Sequence, residues 1–512
     1  MNKGGGQVST GIYMQAASVS APRATNDDRE GGRTHALWAL ADNQPSLRDY
    51  STEPAAPVSA PPSGLIPGLK GVSPRRLVTT RNSLSARSLR LPEKTKPRIL
   101  LLQGPVGPFF SRLQESLERA GFDAWHICFN AGDRLFARSR KRIGFAGTIQ
   151  EWEAWFRFFL SRNEIDHIVL FGSSRPVHEV ARKLAAEAEV HTLCLEEGYI
   201  RPGFVTVETG GNNACSPLAG RMPPSSFDGA QPPHASRDFH PFRAMCCYGA
   251  AYYGCRAIFS FAGERALFHR HLTAFAEPFL WLRNYWRHLN GRAKDFRTIE
   301  HLLEIHDGRY FLVPLQVSSD SQLGRSAYGW NSTRLIAEAL RSFARSASKS
   351  HRLVFKIHPL ERGHSNAGRL VREIAETLGI GNRVDVVETG SIGLLTRHSA
   401  GMITINSTSG LSAIYHGAPL LVIGNALYAH EALATCAHGA PDFDAFWGGG
   451  PVSDVETRRR YLAWIAREAL VPGDFYAAEG MALACDGIVR RLRQGTHKAE
   501  DAVFDEALAQ AC

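Results

Sequence analysis

The sequence predicts an α/β protein in which two doubly wound lobes enclose a cleft, behind a disordered N-terminal arm. Three observations carry this prediction. Short apolar, β-branched runs alternate with helix-periodic segments in two separate series, the pattern of parallel sheets with crossover helices. At 512 residues with 44% hydrophobic content the chain is long enough to build two cores. Residues 1–96 are rich in Gly, Ser, Pro, Thr and Arg, as in STEPAAPVSAPPSG, and lack a sustained hydrophobic period, which reads as disorder.

Charge and cysteine usage narrow the function classes. Lys+Arg 59 against Asp+Glu 49 gives +10, which favours anionic partners: sugar nucleotides, acidic sugars, phospholipid surfaces or nucleic acid. Much of the excess lies in the arm. The nine cysteines are odd in number and scattered. They lack the CxxC or Cys/His spacing of a zinc site and point to a reducing compartment. The arm has no apolar h-region for secretion, its acidic residues argue against a transit peptide, and the chain has no uninterrupted apolar run of about 18 residues.

The first lobe is expected over 97–240. Ile99 to Leu102 is a buried strand, Gln103-Gly104-Pro105 a tight turn, and Phe109 to Ala120 a helix with Phe110, Leu113 and Leu117 on one face. Trp125 to Phe129 is the next strand. A glycine turn between strand and helix lets a ligand's polar end approach the main chain, although GPVGPF lacks the third glycine of a dinucleotide fingerprint. Further on, Trp152 to Phe159 is a helix, 167–171 a strand, 176–188 a helix and 191–195 a strand. The acidic-glycine turn Glu196-Glu197-Gly198-Tyr199 follows, and 209–240 reads as a loop.

Residues 241–305 are basic and aromatic and form a helical connector. FLWLRNYWRHL as a helix sets Trp and Leu on one side and Arg on the other, which suits an anionic bilayer surface or a core-facing join between lobes. Base stacking on single-stranded nucleic acid is a third use of this composition, but no nucleic-acid-binding motif accompanies it.

The second lobe, 306–454, opens on the strand YFLVPLQV, whose end carries Ser318 to Gln322. Helix 332–346, strand 352–357, helix 366–378 and strand 384–387 follow. The unit MITINSTSGLSAIYHGAPLLVIG at 402–424 is a strand, a hydroxyl loop, a helix and a strand. Ser407, Thr408, Ser409 and Gly410 sit where a helix N-terminus meets a strand end, which suits a phosphate or plain N-capping. LVFKIHP ends a strand at His358-Pro359, so imidazole and hydroxyls face one crevice, with Lys356 beside them. Residues 455–512 are C-terminal helices that cross back to the first lobe, and a loose tail. Asp442-Phe443-Asp444 has the letters of a metal-binding DxD but lies in a Gly/Pro loop, so no metal site is expected.

Taken together, QGPVGPFF at 103–110, FNAGD at 129–133, LEEGYIRPGFVTVE at 195–208, LVPLQVSSDSQ at 312–322, KIHP at 356–359 and STSG at 407–410 resemble the bacterial capsular polysaccharide biosynthesis/export proteins of the KpsS/LipB type. The resemblance covers roughly residues 98–430. It implies a GT-B-like fold of two Rossmann-like lobes and a cytoplasmic enzyme peripheral to the inner membrane. The implied reaction is transfer of β-linked Kdo from CMP-Kdo to a lyso-phosphatidylglycerol acceptor, starting a capsule glycolipid linker. The nucleotide sugar is the donor, with no cofactor and no metal. Further implied partners are the lysophospholipid, the membrane surface and the capsule assembly/export machinery, with no nucleic acid.

The family's HP and Ser/Thr motifs, associated with the CMP half of the donor, fall on His358-Pro359 and Ser407 to Ser409. Retention at the anomeric carbon, also implied by the resemblance, calls for a carboxylate nucleophile, and Asp320 at a strand end is the choice. Glu196 and Glu197 are placed to orient or deprotonate the acceptor, Asp133 to do likewise, and Arg201 to grip the sugar carboxylate. Gln103, Gly104 and Gln316 complete the substrate-binding expectation. Two other readings stay open: a non-catalytic export or assembly component, and a transferase or epimerase of the same fold using another nucleotide sugar.

Overall fold

The computed structural model describes residues 96–229, 238–267, 276–317, 325–359, 361–363 and 365–511, with backbone alone for 276–282, 288 and 495–511. The expected arm lies outside these residues, apart from its last position. Two sheets organise the rest.

The first sheet contains β1 (Arg98–Leu102), β2 (Asp123–Cys128), β3 (Arg142–Gly144), β4 (His167–Phe171), β5 (His191–Glu197) and β6 (Phe204–Thr209). Its order is β13-β6-β5-β4-β1-β2-β3, with β13 (Leu470–Pro472) arriving from the far end of the chain. β1 to β5 run parallel, whereas β6 is antiparallel to β5 and β13 to β6. The acidic turn expected at 196–199 is therefore partly strand. Glu196 and Glu197 close β5 opposite Thr206 and Val205, because a hairpin ladder pairs them further than a parallel crossover would.

Helices α1 (Phe109–Arg119), α2 (Ala131–Phe136), α3 (Ile149–Arg162) and α4 (Pro176–Glu187) link these strands. α3 begins with a capping box between Thr148 and Glu151. Its Trp152, Phe156 and Phe159 fill the core on one face with Ile127, Leu170 and Ala181. On the other face Phe109, Leu113 and Leu117 meet Phe475, Met481 and Ile488 from the C-terminal segment.

The connector divides into α5 (Phe242–Phe259), α6 (Ala262–Arg265) and α7 (Ala276–Ile305). α5 lies on the first lobe: a Cβ on Gly107 would meet Tyr248 at 2.8 Å, and one on Gly132 would meet Tyr252 at 2.7 Å. α6 is held by an ion pair between Glu264 and Arg134. α7 instead grips the second lobe, where Asp295 accepts from Glu388 N (2.9 Å), Thr389 N (2.8 Å) and Thr389 Oγ1 (2.7 Å).

The second sheet has β7 (Tyr310–Pro314), β8 (Arg352–Lys356), β9 (Val384–Val387), β10 (Gly401–Thr404), β11 (Leu420–Val422) and β12 (Thr435–Cys436) in the order β12-β11-β10-β7-β8-β9, all parallel. This is a doubly wound order whose direction of winding reverses between β7 and β10. α8 (Ser332–Ser346), α9 (Ala367–Thr377) and α12 (Phe443–Phe446) bury one face through Phe343, Val371 and Phe446. α10 (Ile392–Arg397), α11 (Gly410–His416) and α13 (Val455–Ala469) cover the other. α13 leads into β13, and α14 (Ala478–Ala511) then packs on α1. Tyr199 and Phe204 of the first lobe share a core with Leu427, Tyr461 and Trp464, so the two sheets are joined by an apolar seam.

Candidate functional site

In an open parallel sheet the crevice beyond the strand carboxyl ends at the reversal point is where ligands approach. In the second lobe that point falls between Gln316, two residues past β7, and Asn406, two residues past β10. Gln316 Nε2 donates to Asn406 Oδ1 at 2.9 Å, and both side chains are buried. The serine loop begins at the next residue. His358 stands past β8, the strand on the opposite side of β7, so it shares this edge with Ser407 at about two strand spacings, some 10 Å.

The hydroxyl loop is built differently from the expected cap. Ser409 is the N-cap of α11, yet its side chain accepts no helix N–H. Instead Ser409 Oγ donates to Ser407 Oγ at 2.9 Å, and Ser407 Oγ accepts Ser409 N at 3.2 Å. A three-residue hydroxyl turn satisfies itself first, which competes with capping. Tyr428 OH donates to Ser407 O, and a Cβ on Gly410 would lie 2.2 Å from that phenol oxygen, so glycine is required there.

Lys356 closes β8 and is 6% exposed. Burial, with help from the Arg362 guanidinium, pushes its ammonium down to about 8, against the pull of Asp295 and Glu388. Glu388 takes an ion pair from Arg287 of α7 and another from Arg362 at 3.6 Å. Asn284 Nδ2 of α7 donates to Pro359 O at 3.0 Å. The KIHP segment is thus clamped from outside the sheet. Asp320 and its neighbours Ser318 to Gln322 lie outside the described residues.

On the first lobe, Gln103 follows β1 and Arg175 follows β4, again at the winding reversal, and Arg175 donates to Gln103 Oε1 at 3.1 Å. Gln103 Nε2 donates to Tyr252 OH at 3.2 Å, and Tyr252 OH donates to Asp133 Oδ1 at 2.8 Å. Asp133 Oδ2 accepts Phe129 N at 2.8 Å and Asn130 Nδ2 at 3.0 Å. Burial raises the Asp133 pKa against these donors, the largest of which is the Phe129 amide. Its carboxylate is turned inward and anchors α5. His126 lines a small cavity beside it with Gly104, Gly107, Ser111 and Tyr252.

Glu196 and Glu197 are successive strand residues, so their side chains leave opposite faces. Glu197 Oε1 accepts Tyr476 OH at 3.0 Å. Glu196 lies toward Gly172, at the β4 end beside Arg175. Arg201 is exposed, and its Nε donates to Gly198 O at 2.9 Å. Both DxD carboxylates are engaged locally: Asp442 caps α12, and Asp444 pairs with Arg345 at 2.6 Å.

Sequence reasoning missed Asn406, Arg175 and Tyr252. Asn406 adjoins the hydroxyl cluster in the sequence, a signal that was available. Tyr252 was one aromatic among many, and only its partner across the fold distinguishes it.

The family model described as capsule polysaccharide biosynthesis protein matches residues 166–476. The chain is 33% identical over 389 residues to the capsule polysaccharide export protein KpsS of Escherichia coli, covering 74% of this chain and 97% of that protein. It is 30% identical over 393 residues to the capsule polysaccharide modification protein LipB of Neisseria meningitidis, covering 74% and 91%. Among solved structures, Thermosulfurimonas dismutans KpsC, a beta Kdo 2,7 transferase, aligns at 16% identity over 72% of this chain and 89% of that one, with a TM-score of 0.32.

Proposed function

The chain belongs to the capsule polysaccharide biosynthesis protein family, and from that premise we propose that it is a glycosyltransferase moving β-linked Kdo from CMP-Kdo to a lyso-phosphatidylglycerol acceptor. The observation that carries the reading is the Gln316–Asn406 contact at the reversal point of the second sheet, with the serine loop and His358 on the same edge. A nucleoside monophosphate is a good leaving group, so the protein's task is to neutralise the departing phosphate and stabilise an oxocarbenium-like centre. Lys356, His358 and Ser407 to Gly410 take the first role, without a divalent metal or cofactor. Gln316 aligns the donor. Asp320 is the proposed nucleophile for a retaining double displacement.

The first lobe receives the acceptor. Glu196, toward the Arg175 guanidinium, orients its hydroxyl; Glu197, held by Tyr476, supports the hairpin that carries Arg201 to the sugar carboxylate. Gln103, Gly104 and the inward Asp133 shape the opposite wall.

A lipid acceptor also requires contact with a bilayer. No helix among the described residues is long and apolar enough to cross a membrane. Exposed Tyr285, Trp286, Leu289 and Phe296 on α7, with Arg292, Lys294 and Arg297 among them, suit the surface of an anionic inner membrane. These exposed side chains support contact with a membrane surface; the cytoplasmic, peripheral placement near the capsule assembly and export machinery is part of the proposal and follows from the family reading.

Purified protein with CMP-Kdo and a fluorescent lyso-phosphatidylglycerol tests the reading: a Kdo-modified lipid is the expected product. The word export in the Escherichia coli relative's name favours one alternative, a non-catalytic component, which would bind CMP but form no product. Turnover with a different nucleotide sugar would replace the donor assignment alone.

A further inference from the structure

We propose that Asn213, a residue of the first lobe, is the positioning residue for the loop 406–410 of the second, setting the donor site from across the seam. This rests on the reading of that loop as the donor's phosphate site. Asn213 opens the short turn Asn213–Cys215 after β6, with a φ of 49°. Asparagine tolerates this left-handed region better than most side chains. Its Nδ2 donates to Asn406 O at 3.0 Å, and its Oδ1 accepts Leu427 N at 3.0 Å. A single amide therefore holds the main chain at the foot of the serine loop and at the segment that carries Tyr428, the residue bonded to Ser407 O.

The amide is itself fixed from behind. Asn213 N donates to Tyr199 OH at 2.5 Å, Tyr199 OH donates to Glu208 Oε2 at 2.5 Å, and Ser216 Oγ donates to Glu208 Oε1 at 2.5 Å. Asn212 N donates to Ser173 Oγ at 3.2 Å, and Asn212 Nδ2 to Cys194 O at 3.1 Å. Tyr199, Glu208, Asn212, Asn213 and Ser216 are all buried. In such surroundings each bond is directional and costly to break. Tyr199 and Glu208 belong to the segment 195–208 that carries Glu196, Glu197 and Arg201. The chain of contacts thus runs from the acceptor-side hairpin to Asn406, whose side chain meets Gln316. An apolar seam alone would join the lobes but would not fix the rotation of one backbone segment against another.

Two variants test this on the full chain. Asn213→Gly removes both contacts and keeps the backbone conformation allowed; Asn213→Asp keeps the acceptor and sets a carboxylate against Asn406 O. CMP binding by calorimetry is expected to weaken by about 10-fold or more in the glycine variant, in line with two buried hydrogen bonds, and further in the aspartate variant. In turnover, KM for the donor rises while KM for the acceptor holds. Hydrogen exchange should accelerate at the amides of 407–411 and Leu427 and stay unchanged in β8. CMP affinity equal to that of the parent in Asn213→Gly would overturn the proposal. If the parent itself binds no CMP, the donor reading fails, and exchange alone decides: unchanged protection at Leu427 and 407–411 overturns the positioning role, whereas faster exchange confined there upholds it.

Discussion

Replacing Lys356 by Met should make the protein more stable and a poorer binder of nucleotide at once. The ammonium is 6% exposed, and burial is the largest cause of its fall from 10.5 to about 8. A shift of that size corresponds to about 3 kcal/mol held against the charged form. The sign follows from linkage. The folded pKa lies below the unfolded one, so the unfolded chain binds more protons between pH 8 and 10.5 and stability rises with pH through that window. At pH 7 the folded protein carries the full penalty; at pH 10 less than about 1 kcal/mol of it remains.

Lys356→Met keeps most of the side chain's volume and removes the charge. Thermal unfolding at pH 7 should therefore shift upward by a few degrees, and the advantage should shrink at pH 10. The same variant should lose CMP affinity, and the parent's affinity should fall as pH rises through about 8 while the variant's stays flat. CMP at about 100 times its Kd stabilises the parent by about 2.7 kcal/mol and should close the gap in melting temperature. A Lys356→Met protein that melts lower than the parent at pH 7 and binds CMP equally well would refute both halves of the argument.

Two further outcomes follow from the first lobe. His126 is 4% exposed, neither ring nitrogen has a partner among the described residues, and burial holds its pKa down to about 4. Its folded pKa lies below 6.5, so stability present above that pH is lost on acidification, about 2 kcal/mol of it by pH 5. Urea midpoints at pH 7 and pH 5 should show this loss, and His126→Phe should reduce it. Tyr252→Phe leaves Asp133 Oδ1 without its donor in a buried site, an expected cost of about 1–3 kcal/mol in chemical unfolding. α5 should then become more accessible to limited proteolysis.

The sequence was most informative where the deciding forces are local. The predicted limits of β4, α8 and β9 coincide with those observed, since an apolar run or an Asn331 cap defines them without outside help. The strand ends that form the candidate site were legible for the same reason. Residues 209–240 read as a loop because Gly, Pro and Ser dominate, yet Asn212 and Asn213 are interior. Their partners, Ser173, Cys194, Asn406 and Leu427, are distant in the chain, and no window of sequence contains them. The serine loop was found, but the side-chain cap expected there is absent: local hydroxyl pairing outcompetes capping of the helix N-terminus, a contest that composition leaves undecided. β13 was invisible as a strand, because three residues acquire that identity only by lying against β6.

That late strand affects how the molecule is made. A nascent chain carrying β1 to β6 still lacks both the strand that caps the open edge of β6 and the helix whose Met481, Ala484 and Ile488 cover α1. The first lobe must therefore wait, with an unpaired edge and an uncovered apolar face, while the ribosome finishes the second. Chains stopped before Leu470 are expected to aggregate even though every residue assigned to the donor and acceptor sites has been synthesised.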